Sequence, residues 1–242
     1  MLLDAVVSSN TRGTMKNWFM VSIALGLSGC AGSEGTEPHD MSAAQHEQAA
    51  GGEDTSAGEH GGQYDPAASR EVMQCRKSVC WTSDTNPTKE HLAEMQAHRE
   101  LAAKHRGAAE ALRTAEAQAC AGIDEEDRDL SPFYRSEDIE SVSETARVEQ
   151  RGYDVPPGGR TVFRAVPGLT AEWLQREVDC HRARAAAMGF NMTGMEYCPL
   201  MLKDVAAKVT STGTGFAVDV TSKDPEVAKE VVRRMQVAQA RR

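Results

Sequence analysis

The amino-acid sequence predicts an α+β protein in which a long-helix hairpin is followed by a small β-α-β-β-α sandwich. Residues 88 to 123 form an almost uninterrupted run of strong helix formers. Residues 205 to 222 alternate small or apolar residues with polar ones around two glycines, a pattern typical of a β-hairpin. Residues 227 to 235 repeat apolar side chains at helical spacing. These patterns predict a helical segment at 70 to 150 and a small α+β domain at 151 to 242.

The long helix is expected to begin after Thr88, which can cap it, and to stop at Gly122, which gives about 30 residues. One side of this helix consists mostly of alanine, so that a partner helix could approach it closely. The residues on that side are Leu101, Ala102, Ala108, Ala109, Leu112 and Ala119. Residues 136 to 149 predict a weaker second helix, and an antiparallel helical hairpin is the simplest way to pack the two.

The second part of the chain begins with a predicted strand at 161 to 168, which ends in a turn. Thr170 is then expected to cap a helix that runs to residue 190. After the predicted hairpin, Asp224 caps a final helix and Pro225 occupies its first turn. The order β-α-β-β-α resembles a ferredoxin-like sandwich in outline, with helices on one face of a small antiparallel sheet. This resemblance concerns architecture alone and implies no activity.

The N-terminal region has the layout of an export signal over residues 1 to 30. Its apolar stretch at 18 to 27 has about 10 residues, and a membrane-spanning helix needs about 20. Lys16 precedes this stretch and small residues follow it, as in a signal peptide. Because Asp4 is acidic where an export signal prefers positive charge, Met15 is the expected true start of translation.

The end of this signal, Leu27-Ser28-Gly29-Cys30, resembles the lipobox of bacterial lipoproteins. The resemblance implies that the Cys30 thiol is acylated and that Cys30 becomes the first residue of the mature chain. Ala31 at the next position implies delivery to the outer membrane, with the protein facing the periplasm. Several acyl chains anchor a protein stably without a transmembrane helix. Parts of 105 to 123 and 172 to 200 also resemble uncharacterised exported proteobacterial lipoproteins, which implies no catalytic residues.

Residues 31 to 69 are predicted to be a disordered tether. From residue 32 to 69 the chain contains no Ile, Leu, Val or Phe, so it cannot bury enough apolar surface to offset its ordering entropy. His39, His46 and His60 lie in this segment at spacings of 7 and 14. These spacings match no usual chelating motif, so we favour a solvated linker over a metal-collecting tail.

The cysteines predict disulfides, because an exported chain meets an oxidising compartment. With Cys30 lipidated, five of the six cysteines remain, so at least one thiol is left unpaired or serves another purpose. Cys75 and Cys80 are close enough to close a small loop. Cys180 and Cys198 are the other candidate pair, although connectivity cannot be deduced from sequence.

Two groups of side chains are candidate metal ligands, and the first lies on the long helix. His91, His98 and His105 recur at intervals of seven, about 10 Å apart along a helix, which is too far to chelate one ion together. His91, Glu94 and His98 share one surface and could contribute ligands. The alternative is that these histidines edge a helical interface and form hydrogen bonds across it.

The second group combines Cys180 and His181 with Met192, Met195 and Cys198 in the following loop. Thiolate, thioether and imidazole together favour Cu(I) or zinc. In the alternative, which we favour, His181 lies in the core, the methionines fill gaps and the two cysteines form a disulfide.

The net charge and the absence of known catalytic motifs restrict the classes of function that the sequence supports. The formal net charge of −9 argues against nucleic-acid binding, which needs a basic face. The sequence lacks the GxSxG, HExxH, P-loop and CxxC motifs, as well as a GxGxxG before a helix. We therefore expect no enzyme but a membrane-anchored periplasmic lipoprotein that acts as an interaction or structural module, with a protein partner and no cofactor. The alternative is a lipoprotein that binds copper or zinc through the candidate ligands.

Overall fold

Four α-helices and eight short strands make up the described part of the chain. The computed structural model describes residues 35 to 150 and 153 to 241, so the signal and Cys30 lie outside it. The helices are α1 (Ala43–Gln63), α2 (Lys89–Ala119), α3 (Ala171–Ala187) and α4 (Pro225–Ala240). The strands are β1 (Arg70–Arg76), β2 (Val79–Thr85), β3 (Ile139–Thr145), β4 (Val148–Gln150), β5 (Tyr153–Val155), β6 (Gly158–Arg164), β7 (Val205–Ser211) and β8 (Gly215–Ser222). The predicted α+β class is confirmed.

The C-terminal part of the fold is built on an antiparallel sheet with the strand order β3-β6-β8-β7. Helices α3 and α4 share one hydrophobic core with this sheet, formed by residues such as Ile139, Phe163, Val178, Val218, Val231 and Met235. The predicted hairpin is β7-β8, and Thr170 and Asp224 cap α3 and α4 through their side chains, as predicted. The predicted order β-α-β-β-α is therefore present from β6 to α4.

The sheet has a fourth strand, β3, where the sequence analysis predicts a helix at 136 to 149. This prediction is wrong. Ile139 and Val142 are three residues apart and both contact the hydrophobic core, a spacing that an α-helix would also give. The cause is a register irregularity between Ile139 and Ser141, where the strand departs from strict alternation. Strand β3 lies before residue 150 and strand β6 after it, so the sheet extends across the predicted boundary between the two segments. The ferredoxin-like outline stays a prediction.

The helical hairpin is present, but its second member is α1 and not the segment at 136 to 149. Ser42 begins α1 with a capping box in which its hydroxyl accepts from Gln45 and the Gln45 side chain accepts from the Ser42 amide. The prediction of a disordered tether at 31 to 69 is therefore wrong for the 21 residues of α1.

A β-hairpin, β1-β2, connects α1 to α2, within a region predicted to be helical. Cys75 and Cys80 lie directly opposite each other in this hairpin and form a disulfide. Three large apolar side chains on the hairpin are exposed: Met73, Val79 and Trp81. The cross-link keeps the two strands paired where their side chains contribute little burial.

A second disulfide joins the end of α2 to α3, between Cys120 and Cys180. The predicted pairing of Cys180 with Cys198 is wrong. Among the cysteines of the described ranges, Cys198 is the one free thiol, and it is buried in the core. Neighbouring residues in a helix point about 100° apart. Therefore His181 faces Cys198, whereas Cys180 turns toward Cys120 and Ile123.

None of the helices in the two described ranges is both long and apolar enough to cross a membrane.

Candidate metal centre

Helices α1 and α2 pack antiparallel along a row of paired histidine and glutamate side chains, which we call the seam. Members of the seam recur every seven residues in each helix, so that successive pairs are separated by about 10 Å, or two helical turns. The pairs are His46 with His105, Glu53 with His98, and His60 with His91.

The candidate metal centre lies at the end of the seam nearest the β1-β2 hairpin. It consists of His60 from α1 and of His91 and Glu94 from α2. The Nδ1 atoms of the two histidines are 3.2 Å apart. Oε2 of Glu94 lies 2.9 Å from Nδ1 of His60 and 3.3 Å from Nδ1 of His91.

These distances suit a tetrahedral transition-metal ion. Zinc binds histidine nitrogen and carboxylate oxygen at about 2.0 to 2.2 Å, which separates two of its ligand atoms by about 3.3 Å. The side chains of His60, His91 and Glu94 are 26%, 33% and 50% exposed, so an ion can reach them from solvent. Three protein ligands leave a fourth position for water.

The structure places the sequence-predicted set His91, Glu94 and His98 differently from the expectation. His91 and Glu94 are together, but the third ligand atom comes from His60 and not from His98. Nδ1 of His98 lies 2.6 Å from Oε2 of Glu53, and its ring stacks on that of His60 at a centroid distance of 5.4 Å. His98 therefore belongs to the neighbouring pair of the seam and contacts the candidate centre through the ring of His60.

The pair at the other end of the seam from the candidate centre, His46 and His105, is buried and hydrogen-bonded. The two Nδ1 atoms are 3.0 Å apart, and Nε2 of His46 lies 3.1 Å from the carbonyl oxygen of Glu37. Because a carbonyl oxygen only accepts, Nε2 of His46 carries a hydrogen and donates it. In the neutral pair, Nδ1 of His46 then accepts from Nδ1 of His105. This pair connects the N-terminal half of α1 to α2.

His46, Glu53 and His60 lie in the segment predicted to be a tether, so they were not predicted to pair with side chains of α2. The signal that could have found them is their spacing. They recur every seven residues, as do His91, His98 and His105. Two segments that share a period of seven can pair along their whole length as antiparallel helices, whereas within one segment the same spacing is too long for chelation.

The second predicted metal set does not assemble as a group of soft ligands. Cys180 is oxidised in its disulfide with Cys120 and offers no thiolate. Sγ of Cys198 lies 3.4 Å from Nε2 of His181. Met195 accepts a hydrogen bond from the Tyr197 hydroxyl through its sulfur. Met192 and Met195 pack at the edge of the hydrophobic core, which agrees with the alternative interpretation of these residues.

The Cys198–His181 pair is neutral at pH 7. Burial lowers the pKa of His181 to about 4 and raises the pKa of the Cys198 thiol to about 11. Ser131 donates a hydrogen bond to the cysteine sulfur at 3.1 Å, and Nδ1 of His181 is buried without a partner. A thiol in this environment is protonated and is a poor nucleophile and a poor metal ligand.

No protein-family model matches the chain, and no significant similarity links it to a curated protein or to a solved structure.

Proposed function

We propose that the protein is a lipid-anchored, non-enzymatic module whose α1–α2 layer binds a divalent transition-metal ion, zinc foremost and copper second. The observation that carries this proposal is the convergence of His60, His91 and Glu94 on one point. Imidazole nitrogen and carboxylate oxygen are ligands that zinc accepts readily, and imidazole also suits copper. The ion would join two helices, so its role would be structural, as expected for an interaction or structural module.

The arrangement of the three ligand atoms supports a cation at their centre. When neither Nδ1 atom carries a hydrogen, the neutral imidazoles of His60 and His91 point lone pairs at each other. The Glu94 carboxylate adds a negative charge beside these two nitrogens. Either a metal ion or a shared proton relieves this repulsion. A metal ion can contact all three atoms at once, whereas one proton serves a single hydrogen bond.

The first experiment is a titration of the full-length protein in detergent with zinc, followed by calorimetry. We expect the protein to bind one equivalent at the candidate centre. His60→Ala should weaken the affinity more than about 100-fold, since loss of a direct ligand costs more than loss of an outer partner. The matched control is His39→Ala, because His39 is exposed and lies outside the seam. Equal affinities of the two variants would overturn the proposal.

The lipid anchor at Cys30 is the second part of the proposal and rests on the lipobox resemblance. Radiolabelled palmitate should be incorporated into the wild type and not into Cys30→Ala. The label should fractionate with the outer membrane. Equal labelling of the wild type and the variant would contradict the anchor but leave the metal site unaffected.

A further inference from the structure

We infer that the metal ion folds α1: the helix docks on α2 when the ion is bound and unfolds from it when the ion leaves. This inference rests on the proposed function, because it uses the same site. It also accounts for the disagreement between a sequence that predicts disorder at 31 to 69 and a structure that contains a helix of 21 residues there.

The composition of α1 is unfavourable for a helix. Five of its 21 residues are glycine, at 51, 52, 58, 61 and 62. Glycine inside a helix is destabilising relative to alanine because it loses more backbone entropy. The capping box at Ser42 and Gln45 offsets only part of this cost. By its own propensity, α1 is expected to be unfolded.

The docking of α1 on α2 buries little apolar surface. The buried residues of α1 are Ala43, His46, Ala50 and Ala57, and α1 contains no Ile, Leu, Val, Phe or Met. In contrast, α4 buries Val231 and Met235 in the main core. The hydrophobic effect scales with the apolar area removed from water, so a few alanine methyl groups dock α1 only weakly.

Outside the seam, polar contacts also join the two helices. Two exposed ion pairs, Asp54 with Arg106 and Glu47 with Arg113, flank the seam. Exposed ion pairs stabilise a fold little. The seam is therefore the part of the interface that can hold α1 on α2. How strongly it does so depends on a cation that neutralises the converging ligand atoms of His60, His91 and Glu94.

A metal ion at the candidate centre supplies this missing stabilisation. His60 belongs to α1, whereas His91 and Glu94 belong to α2, so the ion cross-links two helices that a hairpin of the chain separates. When α1 is unfolded, His60 is not held near His91 and Glu94. Metal binding therefore requires α1 to fold, and part of the binding free energy stabilises the folded helix. His46 and His105 lie two layers further along the same seam and extend the docking to the start of α1.

The consequence concerns the proposed anchor at Cys30, because α1 is the first helix or strand of the described residues that follow it. A helix of 21 residues spans about 30 Å, whereas the same residues span about 70 Å when extended. Loss of the ion would therefore lengthen the connection between the membrane and the sheet domain. Metal availability would control how far this domain reaches from the membrane.

Hydrogen exchange of the full-length protein in detergent, measured by mass spectrometry with zinc and with EDTA, tests the inference. With zinc at about 100 times its dissociation constant, the protection of residues 43 to 63 should rise about 100-fold over the EDTA sample. Residues 225 to 240 in α4 serve as the internal control and should exchange equally in both. In His60→Ala, zinc should leave the exchange of α1 unchanged.

A second variant tests whether α1 is unstable by itself, because it is expected to stabilise the helix without the ion. Gly51, Gly52 and Gly58 have open space where a Cβ would lie, so their replacement by alanine favours α1 without a clash. This triple variant should protect α1 in EDTA more than the wild type does. If calorimetry shows zinc binding but α1 is equally protected with and without zinc, the inference fails and the proposed function stands. If zinc does not bind, both fail.

Discussion

Replacing Cys120 or Cys180 by serine should lower the free energy of unfolding by about 4 kcal/mol. The disulfide closes a loop of 60 residues, and the entropy of closing such a loop in the unfolded chain corresponds to about that value. Both cysteines are almost completely buried between α2 and α3. The bond therefore joins the helical layer to the sheet domain, and its loss should loosen the contact between them.

Urea denaturation under non-reducing conditions measures this effect. The matched control is the double variant Cys75→Ser with Cys80→Ser, whose loop of five residues corresponds to about 2 kcal/mol and belongs to an exposed hairpin. A loss of stability in Cys120→Ser no larger than in this control would contradict the account. Peptide mapping without reductant should find Cys198 as the free thiol, and a peptide that links Cys180 to Cys198 would contradict it as well.

His181 should make the protein less stable in acid. Burial lowers its pKa from 6.5 to about 4, so the unfolded chain takes up a proton at a higher pH than the folded chain. The stabilisation is complete above pH 6.5 and is lost as the pH falls toward 4. A shift of this size corresponds to about 3 kcal/mol between these limits.

The measurement is the free energy of unfolding at pH 7 and at pH 4.5, for the wild type and for His181→Gln. Glutamine does not titrate, so the variant should lose about 2.5 kcal/mol less than the wild type between the two pH values. The other six histidines are present in both proteins and cancel in the comparison. The same pH dependence in both would show that His181 takes up its proton as readily in the folded state as in the unfolded chain.

The parts of the fold that the sequence predicts correctly are those governed by local rules. The α4 helix combines an Asp224 cap, a proline in its first turn and an apolar stripe within 16 residues. Thr88 shows the limit of such rules, because it precedes α2 as expected but its hydroxyl bonds to Asn86 and does not cap the helix. Strand β3 was missed because its irregularity imitates a helical period.

The candidate site could be predicted only in part for a similar reason. His91 and Glu94 lie three residues apart on one helix, so their spacing alone brings them together. His60 precedes His91 by 31 residues, and its segment carries none of the apolar residues by which a helix is usually recognised. Its place becomes predictable only when the period of seven is compared between the two segments. The disulfide between Cys120 and Cys180 is equally non-local.

The central claim is that histidine and glutamate side chains of the seam bind the metal ion, and X-ray absorption at the zinc edge tests it most directly. In the zinc-loaded full-length protein, the account predicts a first shell of nitrogen and oxygen at about 2.0 to 2.2 Å, with the scattering of two imidazole rings. His60→Ala should lose one of these rings, or the zinc itself. A shell that contains sulfur at about 2.3 Å would place the ion at a cysteine and contradict the claim.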